Sequence, residues 1–295
     1  MTQVSKTHAT HDQGFRTSGY RQCKDVALAD VRACAVPGQP MEATSHKCLN
    51  DSASEPHERP NTVKLFMDES GNGNPDLPLI VGAIELFDDA AEVEENIQSL
   101  YRRLSTLSGL EGLDSFEKFR RQGFHYKNDP QEIKNPFLDL VRTTAFKAYM
   151  VVTDRTGVPG ATESERIEFM YVKLLSDLLL KHHRQTELLV AVEQSTEMRS
   201  IIQRLPSGAT KQAHETRVKP RPLPKLNIEM VAKADYMSMA IVDYIMGIAA
   251  KWLREGKITD PAKWQYRSFR QIEPFVSVFY SFEHGLISSR RTPLK

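Results

Sequence analysis

Short apolar runs of strand length alternate along the chain with longer stretches whose apolar residues recur every three or four positions, the two signatures of half-buried strands and amphipathic helices. Val63, Leu65 and Met67 alternate with Lys64 and Phe66, which predicts a strand over Val63–Met67. The apolar run Leu77–Leu86 predicts a second, and the Gly- and Asn-rich turn between them suits a hairpin. A stripe of Val93, Ile97, Leu100, Tyr101, Leu104 and Leu107 predicts a helix capped by Asp88 or Asp89. An irregular polar segment follows, then a helix from Pro136 to about Lys147 with Asn135 as its cap. Ala148–Asp154 reads as a third strand, with Asp154 capping the turn after it. Thr162 and Glu165 have capping-box spacing and open a helix reaching about His183. Glu187–Glu193 reads as a fourth strand. A short helix stopped at Pro206 comes next, then a basic, Pro-rich stretch with room for one short strand, then a long helix from about Ile228 to Arg254.

Residues 1–60 carry few large aliphatics and no sustained period, so they read as a disordered or weakly ordered extension closed by a linker, SASEPHERPN. The ordered domain is expected over 62–255, with 256–295 as a tail holding one possible added strand, PFVSVFY. With the helical insertion between strands two and three set aside, the order is β-β-β-α-β-α-β-α. That is the order of a ribonuclease H-like fold, an α/β architecture whose mixed sheet carries helices on both faces.

This topology brings candidate chemistry into view. The first strand lies at the sheet centre and the fourth runs parallel beside it, so both end at the same edge. Asp68 ends the first and Glu193 the fourth, and Asp235 falls on the long final helix that packs near that edge. Three acids in one place repel each other and raise each other's pKa. A hard divalent cation, Mg²⁺ or Mn²⁺, removes the conflict and can serve phosphodiester hydrolysis. Taken singly, each acid is equally a cap or a salt-bridge partner. Glu69 points away from Asp68 if the strand continues, toward a backbone hydrogen bond. His125, in an aromatic and basic segment, is either an exposed loop side chain, a proton carrier or a metal ligand.

Charge and composition narrow the partners. The 295 residues carry a formal net charge of +1, so a nucleic-acid site would have to be a local patch. Lys211, Arg217, Lys219, Arg221 and Lys225 supply one candidate, against a single acid, Glu215. Phe116, Phe119, Phe124 and Tyr126 either stack on bases or anchor the insert to the core. Cys23, Cys34 and Cys48 fit no common zinc spacing and read as free thiols of a reducing cytoplasm. No apolar run approaches the roughly 20 residues of a membrane span, and the N-terminus lacks a signal-peptide core.

Several of these residues resemble the pattern of a family of uncharacterised, mostly bacterial proteins known as domain of unknown function 3800. The matching features are the strand-ending Asp68-Glu69-Ser70-Gly71, the apolar Ile80–Ile84, His125 in GFHYKND, and Ala234-Asp235 before an apolar helix. The resemblance spans roughly 62–255. It implies a ribonuclease H-like fold and a metal-dependent nuclease-type site made by Asp68, Glu69, His125, Glu193 and Asp235, with RNA or DNA as partner. Two positions depart from the family. EMVAKAD lacks the Gln usual before the late AD, and Glu193 stands where an Asp is common. Lys233, two residues before Asp235, either answers a substrate phosphate or marks a site that has lost its metal. The function expected is therefore a metal-dependent phosphodiesterase, or else a non-catalytic interaction protein of the same fold in a defence or mobile-element system.

Overall fold

The computed structural model describes residues 62–217, 222–256 and 259–294. The expectations for residues 1–60, the three cysteines, Lys219 and Arg221 fall outside these residues.

Among the described residues seven strands form one sheet. β1 (Thr62–Ser70) and β2 (Leu79–Leu86) make the expected antiparallel hairpin, and β3 (Phe146–Thr153) extends it on the far side of β2. β4 (Glu187–Glu193) lies parallel to β1, and β5 (Lys225–Val231) lies parallel to β4. The spatial order β5-β4-β1-β2-β3 is that of the ribonuclease H-like fold, and the chain has that fold. β6 (Val276–Ser281) and β7 (Gly285–Ser289) continue the sheet beyond β3. The segment expected as a tail is thus part of the main sheet.

Helices cover both faces. On one side pack α1 (Ala90–Leu104), α2 (Asp114–Gln122), α3 (Gln131–Thr143), α7 (Met239–Arg254) and α8 (Trp264–Ile272). On the other pack α4 (Glu163–Lys181), α5 (Thr196–Ile201) and α6 (Leu205–Glu215). Each apolar stripe buries against the sheet, and this removal of apolar surface from water is the main stabilising term. Local chemistry sets several boundaries as expected. Asp89 caps α1 through the Ala91 amide, and Thr162 and Glu165 form the reciprocal capping box of α4.

Other boundaries differ. α3 starts five residues before Pro136, which sits inside the helix, and α2 occupies the segment expected to be irregular. Pro206 opens α6, because proline suits a first helical turn as well as it ends a helix. The largest change concerns the last helix. Lys225–Val231 pairs with β4 as a strand, and α7 begins only at Met239.

Candidate functional site at the sheet edge

Strand pleat decides which acids can meet. Successive side chains alternate between faces, and Phe66 and Ala191 face α7 while Met67 and Val192 face α4. Asp68 and Glu193, two positions beyond Phe66 and Ala191, therefore point to the α7 side. They are also neighbours, since Met67 pairs with Val192 in the parallel ladder. Glu69 takes the α4 side, where it accepts hydrogen bonds from Tyr171 Oη (2.8 Å) and Ser195 Oγ (2.8 Å). Its expected backbone partner is replaced by two side-chain donors, and Ser195 is itself the N-cap of α5.

α7 supplies the third acid, and it is Asp243. Asp235 lies in the exposed turn between β5 and α7, since the helix that was to carry it starts four residues later. Asp243 lies one turn into α7. Its Oδ2 accepts the Tyr126 amide at 3.1 Å and lies 3.0 Å from His125 Nδ1 and 3.3 Å from Lys233 Nζ. The same ammonium is 3.1 Å from Glu193 Oε2. Lys233 thus bridges two carboxylates, and its side chain is only 9% exposed. The close approach of α7 to the sheet needs small residues. Gly82, the Cα partner of Asp68 on β2, leaves no room for a Cβ beneath Met246 and Val242. A Cβ at Gly247 would lie 1.9 Å from the Tyr126 ring.

Electrostatics reflect the crowding. Burial, reinforced by Glu193, raises the Asp68 carboxyl well above the ordinary carboxylate range against the pull of Lys233. Burial also raises Glu69, although Tyr171 and Ser195 oppose it. For Asp243 burial alone would act upward, but Lys233 and His125 reverse it and hold the carboxyl below its usual value. Lys233 is penalised by burial, yet Asp243, Asp68 and Glu193 outweigh that and raise it. Three carboxyl groups share one ammonium, so the cluster is short of positive charge whenever all three are ionised.

The donor set fits a hard divalent cation in chemistry and charge, because all three groups offer carboxylate oxygens. In this arrangement, however, no three His, Cys, Asp or Glu side chains among the described residues are spaced to hold a metal. Lys233 Nζ stands between Glu193 and Asp243 instead.

His125 is tied down by its surroundings. Its amide donates to Asp129 Oδ2 at 2.7 Å, and Asp129 also accepts from Tyr244 Oη. Nδ1 is buried on the Asp243 side while 34% of the side chain stays exposed, so Nε2 is the ring nitrogen left for solvent or substrate. Behind β1, Arg155 holds the Gly-rich turn. Its guanidinium donates to the carbonyls of Leu77 (2.6 Å), Gly71 (2.7 Å) and Asn74 (3.1 Å) and to Glu163. Asp154 caps its turn through the Thr156 amide, as expected.

The described basic residues of the expected patch, Lys211, Arg217 and Lys225, do not gather here. Lys225 begins β5 while Val231, beside Glu193, ends it, a separation of about 20 Å along the strand. Lys211 pairs with Glu215 on α6, and Arg217 follows that helix on the way to the start of β5. Phe116, Phe119, Phe124 and Tyr126 are buried in the core and are not open to bases. Among the described residues expected to bind phosphate, Lys233 is the one that reaches the acids.

Asp243 escaped the sequence reading, although a signal was present: it is the one charged residue between Met239 and Ala250. An acid in so apolar a stretch calls for a partner. Tyr171 and Ser195 carry no comparable mark.

Comparison with solved structures returns coarse likenesses. The chain is similar to the ribonuclease HII of Archaeoglobus fulgidus, solved in complex with PCNA, at 15% identity over 71% of this chain and 87% of that one, with a TM-score of 0.32. It is similar to the ribonuclease H2 of Pyrococcus horikoshii OT3 at 13% identity, 68% and 82% coverage and a TM-score of 0.36. A third likeness is Bst-RNase HIII in complex with Mn²⁺, at 14% identity, 73% and 63% coverage and a TM-score of 0.34. The sequence matches no family model and none of the curated proteins. No helix among the described residues is long and apolar enough to cross a membrane.

Proposed function

We propose that this chain is a divalent-metal-dependent phosphodiesterase acting on nucleic acid. The observation that carries the reading is the convergence of Asp68, Glu193 and Asp243, from three distant parts of the sequence, at one sheet edge with too little positive charge among them. Asp68, Glu193 and Asp243 would hold Mg²⁺ or Mn²⁺, which when bound supplies Lewis-acid stabilisation of the developing phosphoryl charge. Glu69, fixed by Tyr171 and Ser195, backs the site from the opposite face of β1 and tunes its charge. Asp243 orients the His125 ring through Nδ1, so Nε2 takes or returns a proton at the substrate. Lys233 contributes a cation for a phosphate oxygen. The resemblance to domain of unknown function 3800 implied Asp235 as the third acid; this assignment takes Asp243 in its place.

The test is cleavage of labelled single strands, duplexes and RNA–DNA hybrids with Mn²⁺. Wild-type protein should cleave at least one of them, and Asp68→Asn should reduce the rate by about a hundredfold or more. A folded wild-type protein that cleaves none supports a second reading, a non-catalytic binding protein of this fold. That reading is favoured by the ammonium already lodged between Glu193 and Asp243.

A further inference from the structure

We infer that Lys233 is a displaceable internal cation: its ammonium holds the carboxylate cluster in a closed arrangement, and a divalent cation binds by driving it out. The inference rests on reading Asp68, Glu193 and Asp243 as a divalent-cation site.

Three features carry it. First, the ammonium occupies the position a cation would need. It lies 3.1 Å from Glu193 Oε2 and 3.3 Å from Asp243 Oδ2, so a metal using those two oxygens would have to take its place. Cation and ammonium would repel at contact distance in a poorly solvated site. Second, the pairing is lopsided. Lys233 faces two acids directly, and Asp68 lies beside one of them, Glu193, on the neighbouring strand. A divalent ion would neutralise the cluster better.

Third, Lys233 has somewhere to go once its two pairings are lost. It lies in the turn linking β5 to α7, outside either element, and its four-carbon stem has the freedom a guanidinium fork lacks. Room exists beside it. A cavity of about 90 Å³ is lined by Lys233 together with Tyr101, Arg121, Phe124, Met237 and Ala240. An ammonium turned into that cavity would join Arg121 on its wall, and the two cations would form a phosphate-binding pair next to the metal. Metal loading and preparation for an anionic substrate would then be one event.

The test needs no turnover. Calorimetric titration with Mn²⁺ should show binding to wild type that Asp243→Asn abolishes, and Lys233→Met should bind Mn²⁺ about tenfold or more tightly than wild type. Tighter binding by Lys233→Met, or binding by that variant alone, supports the inference. Equal or weaker binding by folded Lys233→Met, beside intact wild-type binding, overturns it and leaves the proposed metal site standing. No Mn²⁺ binding by any form overturns both. Because Lys233→Met strands buried carboxylates and can fail to fold, a second measurement uses the wild-type protein alone. Pulse acetylation read by mass spectrometry should modify Lys233 several-fold faster with Mn²⁺ than without, while exposed Lys211 is unchanged. An unchanged or slower rate at Lys233 overturns the inference.

Discussion

At the scale of single residues, Asp243 and not Asp235 is the acid placed to complete the site. Asp243 is buried against Lys233, His125 and the Tyr126 amide, and Asp235 is exposed in a turn. Asp243→Asn should lower Mn²⁺-dependent cleavage by about a hundredfold or more, whereas Asp235→Asn should stay near wild type. Glu69 acts from the other face, and groups that orient or tune metal ligands typically contribute ten- to hundredfold, so Glu69→Gln should fall in that range. Asp129 gives a pH prediction. Burial pushes its carboxyl up to about 6, with Tyr244 and the His125 amide pulling the other way. The folded state therefore binds this proton more tightly than the unfolded chain, whose value is near 3.9. That contribution to stability is present below about pH 4 and is lost as pH rises through about 6. Asp68 and Glu69, also raised by burial, act in the same direction. Urea midpoints should show Asp129→Asn gaining on wild type between pH 4.5 and 7. A constant difference across that range would refute the assignment.

At the scale of elements, the site exists because α7 lies close on β1 and β2. Gly247 permits this by leaving space for the Tyr126 ring, whose backbone amide Asp243 receives. Gly247→Ala gains helix propensity but drives a methyl into that ring. The expected outcome is a net loss of about 1–3 kcal/mol by urea denaturation. Gly71 and Arg155 do related work behind β1. A Cβ at Gly71 would lie 2.1 Å from the Pro78 carbonyl, and Arg155 satisfies three carbonyls of the turn. Strands ending in acids were legible in the sequence, because an abrupt carboxylate after an apolar alternation marks where the chain leaves the core. Asp68 and Glu193 were found that way. The start of α7 was not legible. Ile228 and Met230 recur with period two and Val231 follows at helical spacing, so the local pattern fits strand and helix alike. The pairing of Lys225–Val231 with β4 decides between them, and that contact is made with residues some forty positions earlier. Placing the helix too early put Asp235 on it and hid Asp243.

For the whole molecule, the fold order was readable because each crossover and hairpin left its own punctuation. Of the last forty residues only one added strand, now β6, was readable; α8 and β7 were not. β6 inserts beside β3, and α8 stacks Phe269 on Trp252 of α7 at 4.3 Å between ring centroids. Removing residues 259–295 would expose the β3 edge and that apolar face, so the truncated chain should lose its cooperative thermal transition and become insoluble. A soluble, cooperatively folding truncation would contradict this. Lys225, at the start of β5, lies at the opposite end of the strands from the acids.

The most direct measurement of the central claim is an anomalous difference map from crystals soaked in Mn²⁺. The account predicts a manganese peak coordinated by carboxylate oxygens of Asp68, Glu193 and Asp243, with the Lys233 ammonium withdrawn from between the last two. A map with no peak at this edge under saturating Mn²⁺, and Lys233 still bridging Glu193 and Asp243, would contradict it.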